Sequence, residues 1–235
     1  GVDIRSIFEF TYIKFEIVNS SLINLLIHGI IPMNNLGLFH NDLKGENILY
    51  KSEQSRIIDW GLASIQKNNE IPYIVTDRVI QFNLPFSNIL FNSFFYNWYP
   101  DELLKNKITE KSQFLIQQLE FIAINWIQLW RKTIGDGHIE HIEKHILYSI
   151  FLIYNIPLKK TDFLFLLFAS KYIAKILYEY TDFTLTIPKF KYQEYYNDVY
   201  KYNCDIWGFI MSYYPIMKNN YFKNQIKDSS KIDTY

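Results

Sequence analysis

The longest regular pattern near the start of the chain is a helical one between Phe15 and Ile31. Apolar residues recur there near helical spacing, at Ile17, Leu22, Leu25, Leu26 and Ile30. This spacing predicts an amphipathic helix with these residues on its buried face. Residues 32–37 contain Pro and Gly, which are typical of a break, so we expect the helix to end at about residue 31.

Two short runs typical of β-strands follow, at 47–50 and 56–59. The polar residues 51–55 lie between them and favour a turn. The two runs therefore predict a β-hairpin.

The rest of the chain is mainly helical by the same criterion. Residues 62–100 have no regular pattern, and 181–190 has the character of an extended segment. Helices are predicted over 112–133, from about 138 to 154, over 163–180 with Asp162 as N-cap, and from about Glu194, or from Asp205 after a break, to Tyr213. The sequence thus predicts an α+β fold that is mainly α, with one small hairpin.

Charge and composition narrow the class of protein. Lysine plus arginine (24) equals aspartate plus glutamate (24), which argues against binding of nucleic acid or an anionic membrane through bulk charge. The most apolar runs, 146–156 and 163–169, are shorter than the ~20 residues of a membrane span. The single cysteine, Cys204, leaves no partner for an internal disulfide. We therefore expect an intracellular protein with no nucleic-acid and no membrane partner.

Side chains that suit phosphate chemistry surround the predicted hairpin. Asp42, Asn47 and Asp59 are three oxygen-bearing side chains at the ends of these short strands. Such oxygen ligands suit Mg²⁺, which takes one or two carboxylates together with substrate phosphates. Lys44 lies two residues from Asp42 and so faces the same side of an extended segment, where its charge would meet a phosphoryl group. A carboxylate that holds no metal can act as a general base toward a hydroxyl.

This segment resembles the catalytic loop of eukaryotic-type protein kinases, whose pattern is H-R-D-L-x-x-x-x-N. Four residues match the pattern position for position: His40, Asp42, Leu43 and Asn47. Lys44 matches the lysine that is usual in the serine/threonine class. Asp59-Trp60-Gly61 resembles the D-F-G element, with Trp in place of Phe.

The resemblance implies a role for each of these residues in a reaction that uses ATP and Mg²⁺. Asp42 would accept the proton of a protein hydroxyl, and Lys44 would neutralise the phosphoryl group in transfer. Asn47 and Asp59 would hold the metal ions and, with Lys44, the nucleotide phosphates.

Supporting roles are implied for three more residues. The segment 203–209 resembles the start of the central hydrophobic helix of the kinase C-terminal lobe, in which an aspartate, here Asp205, accepts hydrogen bonds from the catalytic-loop backbone. The same side chain could instead cap its own helix. Gly61 would permit the sharp turn after Asp59, and His40 would support the loop.

The chain departs from the kinase pattern in two places. Asn41 replaces the arginine that pairs with a phosphorylated activation segment, so activation by a phosphate is not expected. Residues 62–199 are much longer than an ordinary activation segment, contain no A-P-E triplet and are expected to form a large helical insert. Residues 81–87 resemble a segment of kinase-like proteins from large nucleocytoplasmic DNA viruses. The composition, with 36 Ile and 20 Asn but only 4 Ala, fits an AT-rich genome of that kind. That similarity implies a location in host cytoplasm or the virion.

Residues 1–14 are too few for the Gly-rich loop, the V-A-I-K lysine and the helical glutamate of an N-terminal lobe. Because Gly1 stands where Met is usual, we expect a fragment cut near the interlobe hinge more than a protein that lacks this lobe by nature. The expected layout of this kinase-like C-lobe is hinge end, long helix and catalytic loops (1–61), insert (62–199), and central helix with tail (200–235).

Three functions are compatible with these motifs. The first is a protein serine/threonine kinase. The second is a pseudokinase that serves as a binding scaffold, which the absence of the N-lobe favours and the intact motif residues oppose. The third is a small-molecule phosphotransferase of the aminoglycoside or choline type, for which Asn41 and Asp59-Trp60 are usual, whereas Lys44 and Glu46-Asn47 have the protein-kinase form.

His138, His141 and His145 fall on one helical face. Their spacing is not the H-E-x-x-H of a zinc site, so we expect a solvated polar face instead.

Overall fold

The computed structural model describes residues 1–10, 13–66, 70–148 and 164–217. It is mainly helical with small antiparallel sheets, which confirms the expected α+β class. The chain divides into two compact units, one formed by residues 1–67 and 202–235 and the other by 68–201. These bounds lie within a few residues of the expected insert.

The described residues form nine α-helices, three π-helical turns and seven short strands. The helices are α1 (Ile4–Phe10), α2 (Phe15–Leu25), α3 (Ile31–Asn35), α4 (Ser93–Lys105), α5 (Leu115–Thr133), α6 (Ile139–His141), α7 (Leu164–Tyr180), α8 (Tyr192–Tyr195) and α9 (Lys201–Met211). The π-helical turns are Leu26–Ile30, Ile142–Leu147 and Tyr196–Tyr200. The strands are β1 (Val2–Asp3), β2 (Leu38–Phe39), β3 (Ile48–Lys51), β4 (Gln54–Ile57), β5 (Ser64–Ile65), β6 (Thr181–Asp182) and β7 (Lys189–Phe190).

The predicted helix near the N-terminus extends further than expected. It runs through α2, a π-helical turn and α3 to Asn35, so the break predicted at Pro32 is wrong. A proline lacks the N–H that an α-helix needs and its ring meets the preceding turn, and the wider π-helical turn just before Pro32 relieves both demands. The helix ends at Asn35, and Gly37, two residues further on, has the left-handed φ of 78° that is typical just after a helix C-terminus.

This helix is also the one described element that is long and apolar enough to cross a membrane, judged by length and composition alone. Core helices pass the same test, and one side of it is buried at Val18, Leu22 and Ile30.

The predicted hairpin is confirmed. β3 and β4 pair in antiparallel register, with Ile48 opposite Ile57. The turn is tighter than expected, because Ser52 and Glu53 both have positive φ, as in a two-residue type I′ connection. β1 pairs with the other edge of β3, which gives a three-stranded sheet.

The first unit has a core that includes the loop between β2 and β3. Leu43, in that loop, is 1% exposed and belongs to a cluster with residues from α1, α2, β3 and α9. Burial of this leucine side chain stabilises the loop by about 1.5–3 kcal/mol. The loop is therefore anchored to the hydrophobic core of the first unit through Leu43.

The second unit is built from α4 to α8. α5 buries one face at residues three or four apart, including Leu119, Trp126 and Trp130, and packs against α7. α4 was not expected, because its segment is rich in aromatic residues and contains Pro100. Asn92 caps it by accepting from the N–H of Phe94 at 2.7 Å, and burial of its aromatic side chains outweighs their weak helix propensity.

The C-terminal elements also differ in detail from the prediction. Residues 181–190 form a small hairpin in which β6 pairs with β7. No break occurs at Asp205, which lies inside α9, so it is not an N-cap. The predicted helix end at about residue 154 and the N-cap at Asp162 lie outside the described residues.

Candidate active site

Asp42 lies in the loop between β2 and β3 and is 8% exposed. The Nζ of Lys44 lies 2.8 Å from its Oδ2, so the lysine charge meets the carboxylate directly. The extended backbone of Lys44 (φ −164°, ψ 168°) brings the two side chains to one side, as the spacing predicted.

Asn47 joins this pair. Its Nδ2 donates to the backbone carbonyl of Asp42 at 2.8 Å and approaches Asp42 Oδ2 at 3.2 Å. Since the nitrogen of the amide is used by Asp42, the oxygen of Asn47 is the atom suited to a metal ion. The side chain is 5% exposed, so its orientation is fixed by packing as well.

Asp59 follows β4 and comes one residue after Ile58, whose backbone is bonded to that of Asn47. The N–H of Ile58 donates to the carbonyl of Asn47 at 3.0 Å, which places Asp59 just beyond the paired residues. Asp59 is exposed and has a left-handed backbone, with φ of 62°. One carboxylate and one amide oxygen at the end of a hairpin fit the sparse protein ligation that Mg²⁺ takes beside phosphates.

The sharp turn after Asp59 is made differently from what the resemblance implies. Gly61 lies in the short 3₁₀ turn Trp60–Leu62 and has no left-handed φ. A Cβ added there would lie 3.5 Å from Asp59 Oδ1, which is an ordinary contact. The unusual backbone angle belongs to Asp59 itself.

Asp205 supports the loop from α9. Its Oδ2 accepts from the N–H of His40 at 2.8 Å, and its Oδ1 accepts from the N–H of Asn41 at 2.9 Å. With its amide turned so that nitrogen faces both acceptors, Asn34 also donates to Asp205 Oδ2 at 2.9 Å and to the Leu38 carbonyl at 3.1 Å. The contact with the loop backbone that the resemblance implies is therefore present.

Burial dominates the electrostatics of Asp205. It raises the pKa of this carboxyl above its ordinary value, while the N–H donors of His40 and Asn41 act in the opposite direction. The carboxylate thus occupies a dry site in which its hydrogen bonds are its main stabilisation.

His40 links the loop to the residues around Asp59. Its Nε2 lies 2.9 Å from the carbonyl of Ile58, so this nitrogen carries the proton and donates. Its ring meets the edge of the Trp60 ring, with centroids 5.0 Å apart. The Trp60 side chain therefore packs against the loop.

Two further residues, Arg5 and Asn41, join the site through contacts that were not predicted from the sequence. Arg5 in α1 contacts Glu46 Oε1 through Nη1 at 2.6 Å and Glu9 Oε1 through Nε at 3.1 Å, and its pKa is raised chiefly by Glu46. The side-chain Nδ2 of Asn41 donates to the carbonyl of Leu62 and to the hydroxyl of Ser64. No local signal predicts the Arg5 contact, because the two partners are far apart in sequence.

The histidine face belongs to the second unit, and His138 and His145 are exposed, as expected of a solvated polar face. The rings of His138 and His141 lie 5.5 and 5.3 Å from the ring of Phe82. In the part of the chain that the structure describes, no group of three or more His, Cys, Asp or Glu is arranged to hold a metal ion.

A scan against protein-family models, a search of curated proteins and a search of solved structures each found no match. The functional argument therefore depends on the geometry of the loop and on its motif residues.

Proposed function

We propose that this chain is the catalytic, C-terminal half of a protein serine/threonine kinase, which transfers the γ-phosphoryl group of ATP to a protein hydroxyl with Mg²⁺. The observation that carries the proposal is the set of contacts among Asp42, Lys44 and Asn47 in a loop held by the buried Asp205. Burial of Asp42 and Asn47 costs desolvation, and their ordered hydrogen bonds with each other and with the half-buried Lys44 are what a preorganised reactive site requires.

Asp42 is assigned as the general base. As the acceptor oxygen attacks phosphorus, the hydroxyl proton passes to the Asp42 carboxylate, and the bond from phosphorus to the β-phosphate oxygen of ATP breaks. Lys44 is suited to offset the negative charge of the phosphoryl group, because its ammonium lies beside this carboxylate.

Asn47 and Asp59 are assigned as the Mg²⁺ ligands. The ion would neutralise phosphate charge and orient the transferred group. The hydrogen bonds that commit the Asn47 nitrogen to Asp42 link the base and the metal ligand, so the two cannot reorient independently.

The test uses protein expressed from the complete gene, Mg·ATP and a generic protein acceptor. Wild type should transfer labelled phosphate, and Asp42→Asn should reduce the rate by about 10²-fold or more. Asp101→Asn is the matched control, because Asp101 is exposed on α4 in the other unit, and it should leave the rate unchanged. Undiminished transfer by Asp42→Asn would refute the assignment of the base.

Two other outcomes would replace the proposal. Binding of Mg·ATP without transfer to any acceptor would favour the scaffold function. Transfer to small aminoglycoside-type or choline-type acceptors, but not to proteins, would favour the small-molecule phosphotransferase.

A further inference from the structure

The side chain of Asn41 ties the catalytic loop to the segment that follows Asp59. Its Nδ2 donates to the carbonyl of Leu62 at 3.0 Å and to the hydroxyl of Ser64 at 2.8 Å, and it lies 3.2 Å from the carbonyl of Phe39. The residue is only 3% exposed, so these neutral hydrogen bonds lie out of contact with most of the solvent.

The backbone of Asn41 is constrained as well. Its φ of 59° is left-handed, a region that asparagine tolerates better than most residues. Its N–H is used by Asp205. The position therefore demands a left-handed residue whose side chain donates to neutral oxygens, and asparagine meets both demands.

Asp59 is consequently held from both ends of a short segment. On the upstream side, His40 bonds the carbonyl of Ile58. On the downstream side, Asn41 bonds the carbonyl of Leu62, the last residue of the 3₁₀ turn. Both holding residues are neighbours in the loop that carries the candidate base.

We propose that Asn41 is a positioning residue that fixes Asp59 for metal binding through neutral hydrogen bonds, without a phosphate or other added charge on residues 60–66. This inference rests on the proposed function, in which Asp59 holds Mg²⁺. The Asn41 amide would then replace the pair that an arginine forms with a phosphorylated residue in the kinase pattern. The metal site would be assembled in the unmodified protein.

Two substitutions separate the amide from the backbone requirement. Asn41→Gly keeps the left-handed backbone and removes the donor. Asn41→Asp keeps the shape and also tolerates the left-handed backbone, but places carboxylate oxygens against the carbonyl oxygens of Leu62 and Phe39. We therefore expect Asn41→Asp to be the more damaging of the two, whereas a purely conformational role predicts little effect from either.

The main measurement is the Mg²⁺ dependence of phosphotransfer at fixed ATP. Asn41→Gly should raise the half-saturating Mg²⁺ concentration about tenfold, as is typical when a residue that orients a metal ligand is lost. The matched control is Asn19→Ala, which removes the 2.9 Å hydrogen bond from the Tyr213 hydroxyl elsewhere in the same unit. It should lower stability and leave the Mg²⁺ midpoint unchanged.

Three results would overturn the inference: an unchanged midpoint in Asn41→Gly, an equal shift in Asn19→Ala, or wild-type behaviour of Asn41→Asp. If even the wild type transfers no phosphate, the proposed function fails, and hydrogen exchange then tests the positioning role separately. Asn41→Gly should speed amide exchange within 62–66 and leave the hairpin 48–57 unchanged. Faster exchange throughout the unit, or no change, would contradict it.

Discussion

The carboxylate of Asp205 accepts the backbone N–H of His40 at 2.8 Å, although 165 positions separate the two residues in sequence. This contact fixes the start of the loop to the middle of α9. Since a second oxygen of the same carboxylate accepts from Asn41, the loop backbone has two anchors on one side chain.

Asp205→Asn is expected to lower the free energy of unfolding by about 1–3 kcal/mol, because one of the two N–H donors would then face an amide NH₂ and remain unsatisfied in a buried site. Chemical denaturation measures the change. Asp198→Asn, at an exposed position, is the control and should stay within about 0.5 kcal/mol of wild type. Equal stability of Asp205→Asn and wild type at about pH 4, where the contribution of this side chain is largest, would show that Asp205 is not an anchor.

The same carboxyl should make stability depend on pH. Because burial raises its pKa in the folded protein, the stability that it contributes is fully present below its unfolded pKa, near 4, and is lost as pH rises through the folded pKa. The difference in unfolding free energy between wild type and Asp205→Asn should therefore shrink as pH rises from about 4 toward neutrality. Denaturation of both proteins across this pH range shows whether the difference falls or rises with pH. A difference that grows with pH would mean that the N–H donors lower the pKa of Asp205 by more than desolvation raises it.

Arg5→Ala is expected to loosen the turn that carries Asn47, since it removes the ion pair with Glu46 at 2.6 Å. The pair is partly exposed, so the loss of stability should be about 1 kcal/mol or less. Arg5→Lys keeps the positive charge but cannot contact Glu46 and Glu9 through two separate nitrogens as arginine does. This variant should therefore lose less stability than Arg5→Ala but remain below wild type. Hydrogen exchange of residues 44–48 is the more sensitive measurement, and equal exchange in all three proteins would contradict the prediction.

Gly45→Ala should destabilise the protein by about 1–3 kcal/mol through overpacking. An added Cβ would lie 3.2 Å from the backbone nitrogen of Arg5, where α1 begins, and backbone cannot move aside cheaply. Gly61→Ala is the matched comparison, because its Cβ would make only an ordinary contact with Asp59, and its effect on unfolding should stay within about 0.5 kcal/mol. A reversed order of the two variants would refute this account of the packing.

The hairpin and the local contacts of the loop could be predicted because they depend on short-range spacing. Asp42 and Lys44 lie two positions apart in an extended segment, so their side chains point to the same side. The short polar turn between β3 and β4 likewise sets their antiparallel register. The mainly helical class followed from the periodicity of segments such as α5.

The features that were not predicted from the sequence are of two kinds, long-range contacts and helices that form against local preference. Arg5 with Glu46, and Asn41 with Leu62, join residues that only the tertiary fold brings together. α4 and the passage of a helix through Pro32 go against local preference, and in both cases burial and a locally altered turn outweigh it. Resemblance to a family, rather than spacing, was what pointed to Asp205.

The pairing of β1 with β3 has a mechanical consequence. Val2 lies opposite Tyr50 and Asp3 opposite Leu49, while α1 begins at the next residue and its second residue contacts the turn before Asn47. The first few residues are therefore connected to Asn47, the proposed metal ligand, through strand hydrogen bonds and through the backbone contact of Arg5 with Gly45. A displacement of residues 1–10 would therefore change the geometry of the loop between β2 and β3.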